Sequence, residues 1–141
     1  MKKIFLPIDG SEICPKAYNH AKKIAQKFDS EIIIFNAQDL TPPFGWLYDP
    51  VMSKNEKNNP EKIAERIVED AKKAFAETGI RITTKTALGD PAVTILEVAE
   101  KEGCDLIIIC THGMSRSKRF LLGSVTNKVV LHSSIPVLVI R

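Results

Sequence analysis

The fold is decided by two stretches of sequence: Leu106-Ile107-Ile108-Ile109-Cys110-Thr111-His112-Gly113, and Gly123-Ser124-Val125, which follows Gly113 after a spacer of nine residues. The continuous apolar run is typical of a strand that is covered on both faces of a parallel sheet. Ser124 stands before an amphipathic pattern and predicts a helix N-terminus. Unpaired N–H groups and the helix dipole both favour negative charge there. This order of elements therefore predicts a site for a phosphate-bearing ligand.

The remaining sequence alternates short apolar runs with amphipathic segments. We predict strands over residues 3–8, 31–37, 80–87, 105–110 and 135–140. Helices are expected to begin near Ser11, at Asn59, at Asp90 and at Ser124, and Gly79 and Gly103 are expected to end the second and third of them. Five strands alternating with four helices indicate an α/β fold, with a doubly wound parallel sheet and helices on both faces. We expect a single domain over residues 1–141.

Composition argues against several classes of protein. The net charge of +3 is too small to suggest a nucleic-acid partner, and acidic and basic residues alternate along the predicted helices. No apolar run has the length of a membrane span, so no membrane partner is expected. The three cysteines form no CxxC pair and the histidines have no metal-ligand spacing, so no metal site is predicted. An odd number of cysteines without a signal peptide favours a cytoplasmic protein.

Several motifs together resemble the universal stress protein family. Its nucleotide-binding branch carries Gly, two residues, Gly, nine residues and then Gly-Ser or Gly-Thr, and this chain matches at Gly113 and Gly123-Ser124. Position 110, where the first glycine would stand, is Cys110. The resemblance covers nearly the whole chain apart from a segment after Gln38. It includes Lys3-Ile4-Phe5-Leu6-Pro7-Ile8-Asp9-Gly10-Ser11, Gly89-Asp90-Pro91-Ala92 and Ile135-Pro136-Val137-Leu138-Val139-Ile140-Arg141.

The resemblance implies the strand order 3-2-1-4-5, with a ligand crevice where strands one and four lie side by side. It also implies an adenine nucleotide as ligand, ATP first, with Mg²⁺ or Mn²⁺ as an accompanying ion. Asp9 would contact the ribose or adenine, the backbone of Ala37 the adenine ring, and the two glycines would let the backbone approach the phosphates. The implied nucleotide-binding residues are Asp9, Ala37, Thr111, His112, Gly113, Arg116, Gly123, Ser124 and Val125.

Alternatives stay open for several of these residues. Asp9 could serve only the turn with Ser11, and Ser124 could be only a helix N-cap. His112 is interpreted as a structural residue rather than a general base. Cys110 could point into the core, leaving the crevice open, or into the crevice, lowering nucleotide affinity. No catalytic residue is assigned.

Three functions compete. The first is a small nucleotide-binding regulator of the stress response that acts on an unknown protein partner. The second is a weak ATPase, which ranks lower because no base is assigned. The third is a dimeric interaction module without nucleotide, for which Cys110 is the main support. The last strand, residues 136–140, is apolar and would form a sheet edge in the implied order, and exposed apolar edges invite pairing. We therefore expect a homodimer through this strand.

Overall fold

The computed structural model describes residues 1–11, 14–40, 59–111 and 122–141. These residues form one five-stranded parallel sheet in the order β3-β2-β1-β4-β5, together with four α-helices. This confirms the predicted fold class and strand order. The elements are β1 (Lys3–Pro7), α1 (Cys14–Phe28), β2 (Glu31–Gln38), α2 (Pro60–Lys73), β3 (Ile82–Leu88), α3 (Pro91–Lys101), β4 (Leu106–Cys110), α4 (Ser124–His132) and β5 (Val137–Ile140).

The sheet is buried on both faces because its central strands are apolar without interruption. Successive side chains of a strand point to opposite faces, so β1 and β2 divide their residues between two clusters. One cluster holds Ile4 and Ile32 under α1 and α2, which contribute alanines and Val68. The other holds Phe5 and Phe35 under α3 and α4, and the two rings lie 5.1 Å apart between centroids. Each face of the sheet therefore has its own pair of helices.

Helix boundaries follow local hydrogen bonding. The Asn59 side chain accepts the Glu61 N–H at 2.9 Å, and the Asp90 side chain accepts the Val93 N–H at 3.0 Å, so both predicted N-caps are confirmed. Gly103, with φ +64°, follows the end of α3 as expected.

The predicted end of the second helix is wrong. α2 ends at Lys73, well before Gly79. The N–H groups of Phe75 and Ala76 bond three residues back, to Lys72 and Lys73, so the helix tightens into turns before the glycine is reached. No helix in the described part of the chain is long and apolar enough to cross a membrane.

Candidate functional site

The carboxyl ends of β1, β2 and β4 lie side by side at one edge of the sheet. Pro7 is level with Phe35 in the β1–β2 register, and Phe5 is level with Ile107 in the β1–β4 register. Continued beyond the last paired residues, the two registers bring three predicted site residues to one level: Ala37, Asp9 and Thr111. The strand order reverses between β1 and β4. Open α/β sheets bind their ligands at such a reversal, outside the carboxyl ends of the strands.

Two hydrogen bonds connect the N-terminus of α4 to the end of β4. The Gly123 N–H donates to the Thr111 carbonyl at 2.6 Å, and the Thr126 hydroxyl donates to the Cys110 carbonyl at 2.7 Å. Thr126 and Thr111 are both buried. Val125 packs on the same side-chain cluster as Ala37. The first turn of α4 therefore lies on the same face of the sheet as Ala37, next to the point where the strand order reverses.

The N-cap of α4 is Gly123 and not Ser124, so the interpretation of Ser124 as the cap is wrong. Gly123 has φ −59° and ψ 155°, and no side chain caps the helix. The first intrahelical bond runs from the Asn127 N–H to the Gly123 carbonyl at 2.8 Å. The N–H groups of Ser124, Val125 and Thr126 therefore have no acceptor within their own helix. N–H groups in this position at a helix N-terminus are donors from which an anion can accept hydrogen bonds.

Asp9 lies in an exposed turn directly after β1. Its Oδ1 accepts the Ser11 N–H at 2.9 Å, and Gly10 between them takes φ +79°, a conformation that favours glycine. The hydrogen bond with Ser11 that the turn alternative for Asp9 requires is therefore observed. This bond holds the carboxylate at the carboxyl edge of the sheet, which a ligand contact also requires.

Asn36 is a residue of this edge that sequence reasoning missed. It is 2% exposed, and its Nδ2 donates to the Ile8 carbonyl at 2.7 Å, which ties the end of β2 to the end of β1. The Gln38 Nε2 in turn donates to Asn36 Oδ1 at 2.7 Å. An asparagine directly after the apolar run 32–35 was the available signal, because a buried amide at a strand end requires hydrogen-bond partners.

Cys110 points away from the face that carries Ala37 and Val125. Its side chain is partly buried against the cluster under α1 and α2, together with Leu138. Ala37 and Val125 belong to the cluster on the opposite face. Of the two alternatives for Cys110, the structure therefore shows the first, in which the side chain packs against the core, although a glycine occupies this position in the motif that the loop resembles.

The other candidates for chemistry are placed as follows. His112, Gly113 and Arg116 lie outside the described residues. Cys104 is buried, and desolvation raises the pKa of its thiol to about 11, so it stays protonated and unreactive near neutral pH. Within the described ranges no group of His, Cys, Asp and Glu could hold a metal ion.

Comparison with known proteins places the chain in a family. The model of the universal stress protein family matches residues 1–141. Universal stress protein MJ0531 of Methanocaldococcus jannaschii is 35% identical over an alignment 146 positions long, which covers 99% of this chain and 82% of that protein. Universal stress protein YxiE of Bacillus subtilis is 34% identical over an alignment 148 positions long, which covers 99% of this chain and 98% of that protein.

Solved structures agree with this assignment. The structure of protein MJ0577 of Methanocaldococcus jannaschii superposes with a TM-score of 0.82 at 32% identity, covering 99% of this chain and 94% of that one. A universal stress protein in complex with cAMP superposes with a TM-score of 0.69 at 25% identity, covering 99% and 96%. The similarity thus extends over the full length of the chain in both sequence and structure. This chain belongs to the universal stress protein family.

Proposed function

We propose that this universal stress protein binds an adenine nucleotide, with ATP as the first ligand to test, and acts as a nucleotide-dependent regulator of the stress response. One observation carries the proposal. The three N–H donors at the start of α4 lie at the same edge of the sheet as Asp9 and Ala37, beside the reversal of strand order. A ligand with a phosphate at one end and a nucleoside at the other matches this arrangement.

The phosphate end of the ligand is assigned to α4. Charge on a phosphate is stabilised at a helix N-terminus by roughly 0.3–1 kcal/mol at an exposed site, and by more where water is excluded. The N–H groups of Ser124, Val125 and Thr126 would donate to the phosphate oxygens. The predicted contributions of His112, Gly113 and Arg116 belong to the same proposal, since these residues lie between Thr111 and Gly123 in the sequence.

The nucleoside end is assigned to Asp9 and Ala37. Ala37 would present its backbone to the adenine ring, and the Asp9 carboxylate would accept hydrogen bonds from a ribose hydroxyl or the adenine amine. The related universal stress protein solved with cAMP supports an adenine nucleotide as the ligand class. Hydrolysis, an accompanying Mg²⁺ or Mn²⁺, the cytoplasmic location and the downstream protein partner stay predictions from sequence.

The test of this proposal begins with the protein as purified, without added nucleotide. Chromatography of the denatured extract would reveal a co-purified adenine nucleotide, and thermal unfolding with added ATP would reveal binding to empty protein. ATP at a hundred times its Kd should stabilise the fold by about 2.7 kcal/mol. GTP at the same concentration is the control for the base. A protein that contains no nucleotide and gains no stability with ATP would contradict the proposal and favour the interaction module.

Cys110→Gly, which restores the motif glycine, is expected to leave the Kd for ATP within about twofold of its original value. The reason is that the Cys110 side chain lies on the α1 and α2 face of the sheet, away from the face that carries Ala37. The free energy of unfolding should fall by about 1–2 kcal/mol, because a strand gains a glycine and the core loses a sulfur atom. Isothermal titration calorimetry and urea unfolding measure the two effects. A tenfold gain in ATP affinity would show that the thiol obstructs the site.

We further propose the homodimer through β5. Within the described residues β5 pairs only with β4, and its side chains at 137–139 are only partly buried. The Ile107 N–H bonds to the Pro136 carbonyl and the Thr111 N–H to the Ile140 carbonyl, so the Val139 N–H points away from β4. Sedimentation at micromolar concentration should show a dimer, and Val139→Pro, which removes an outward donor and leaves the backbone bonds to β4 in place, should yield a monomer. A monomeric unsubstituted protein would contradict this prediction.

A further inference from the structure

The outer edge of β3 offers backbone groups that the sheet does not use. β3 pairs only with β2 among the described strands. The Arg81 carbonyl accepts the Ile32 N–H at 2.9 Å, and the Gly89 N–H donates to the Gln38 carbonyl at 3.0 Å. Because backbone groups of a strand alternate in direction, residues 81, 83, 85, 87 and 89 face β2. Thr84 and Thr86 therefore direct their N–H and C=O groups outward.

A groove of about 320 Å³ runs beside this edge, between β3 and α2. Val68 is among the lining residues, but its side chain is buried in the core. Polar and charged side chains from α2 and β3 form the rest of the lining. The lining residues are Glu65, Val68, Glu69, Thr84, Lys85 and Thr86.

The groove has an excess of negative charge. Glu61, Glu65 and Glu69 recur every fourth residue along α2, a spacing that places like charges on one side of a helix at a small cost in stability. Glu65 Oε2 pairs with Lys62 Nζ at 3.2 Å, in an exposed contact of the kind that contributes little.

The one cationic residue of the lining, Lys85, directs its ammonium group to the other face of the sheet, where it forms an ion pair. Lys85 Nζ lies 2.8 Å from Glu102 Oε1, at the end of α3 on the other face of the sheet. This ion pair also lowers the pKa of the Glu102 carboxyl, chiefly through the hydrogen bond from Lys85. The carboxylates of Glu65 and Glu69 therefore dominate the charge along the groove.

We propose that the β3 edge is a docking surface for an extended, basic segment of a partner protein, which would add to the sheet as a further strand. Main-chain hydrogen bonds to Thr84 and Thr86 would supply affinity, and every second side chain of the segment would face α2. Lysine or arginine at those positions would meet Glu65 and Glu69. This surface lies on the opposite edge of the sheet from β5 and is independent of the nucleotide proposal.

The direct test follows individual amides by NMR. The probe is a capped seven-residue peptide of alternating lysine and valine, matched in length to β3, and the control probe replaces lysine with glutamate. The lysine peptide should slow hydrogen exchange at Thr84 and Thr86, while Thr83 and Lys85 are slow beforehand because they already bond to β2. Equal binding of the glutamate peptide would overturn the proposal. Protection of Thr84 and Thr86 by raised protein concentration alone would also overturn it, because the occupant would then be a second copy of this chain.

Two variants separate charge from backbone pairing. Glu65→Lys should weaken binding of the lysine peptide at least about tenfold, whereas Glu97→Lys, the same change at an exposed position of α3, should leave it unchanged. Thr84→Pro removes an outward N–H without touching the bonds to β2 and should abolish binding. If Thr84→Pro fails to fold, Glu65→Lys still decides the question. Unaltered peptide affinity in Glu65→Lys would overturn the proposed role of the α2 carboxylates.

Discussion

Replacing Gly123 by valine is expected to abolish ATP binding while the fold persists. Gly123 has φ −59° and ψ 155°, an extended conformation open to any residue, so valine introduces no backbone strain. Its N–H would still donate to the Thr111 carbonyl. The branched side chain, however, would stand at the N-cap of α4, over the N–H groups to which the phosphate is assigned. Calorimetry should show a loss of more than about a hundredfold in affinity, equivalent to about 2.8 kcal/mol.

Gly123→Ala is the matched control for this prediction. It adds one methyl group at the same position and loses the same backbone freedom, so it should weaken ATP binding far less than valine does. Thermal unfolding of both variants without nucleotide should stay within a few degrees of the unsubstituted protein, since a shift of about 1 kcal/mol corresponds to only about 2–8 °C for domains near this size. An ATP affinity that is unchanged in Gly123→Val would remove α4 from the proposed site.

Asp9→Ala is expected to weaken ATP binding by one or two hydrogen bonds, roughly 1–3 kcal/mol, or about five- to 150-fold in Kd. The alanine variant also loses the acceptor for the Ser11 N–H, which holds the turn after β1. Part of the loss could therefore come from a displaced turn rather than from a missing ligand contact.

Asp9→Asn separates these two contributions. Asparagine retains an oxygen that can accept the Ser11 N–H, so the turn should persist, but the carboxylate is lost. If Asp9 accepts hydrogen bonds from the nucleoside, asparagine should bind ATP with an affinity between those of the unsubstituted protein and the alanine variant. An affinity equal to that of the unsubstituted protein in both variants would show that Asp9 serves only the turn.

Local sequence features predicted the elements well where one residue controls the geometry. Asn59 and Asp90 cap the helices that follow them because their short side chains reach the first free N–H groups. The same reasoning gave the wrong end for the second helix, because the chain leaves α2 through tight turns before it reaches Gly79. The predicted start of α4 at Ser124 is confirmed, but the N-cap lies one position earlier, at Gly123, for a related reason. The backbone of Gly123 is held by the Thr111 carbonyl, a contact between residues on either side of a loop that no local pattern reveals.

The alternation of apolar runs with amphipathic helices determined by sequence alone that this is a doubly wound α/β protein, and the glycine motif between 113 and 123 predicted an anion site after β4. Periodicity is a local property, and each element needs only its own residues to show it. Strand register and side-chain facing depend on contacts between residues far apart in the sequence. Only the tertiary structure therefore decided that the strand registers, when continued, bring Asp9, Ala37 and Thr111 to one level, that Asn36 ties β1 to β2, and that Cys110 lies on the opposite face from Ala37.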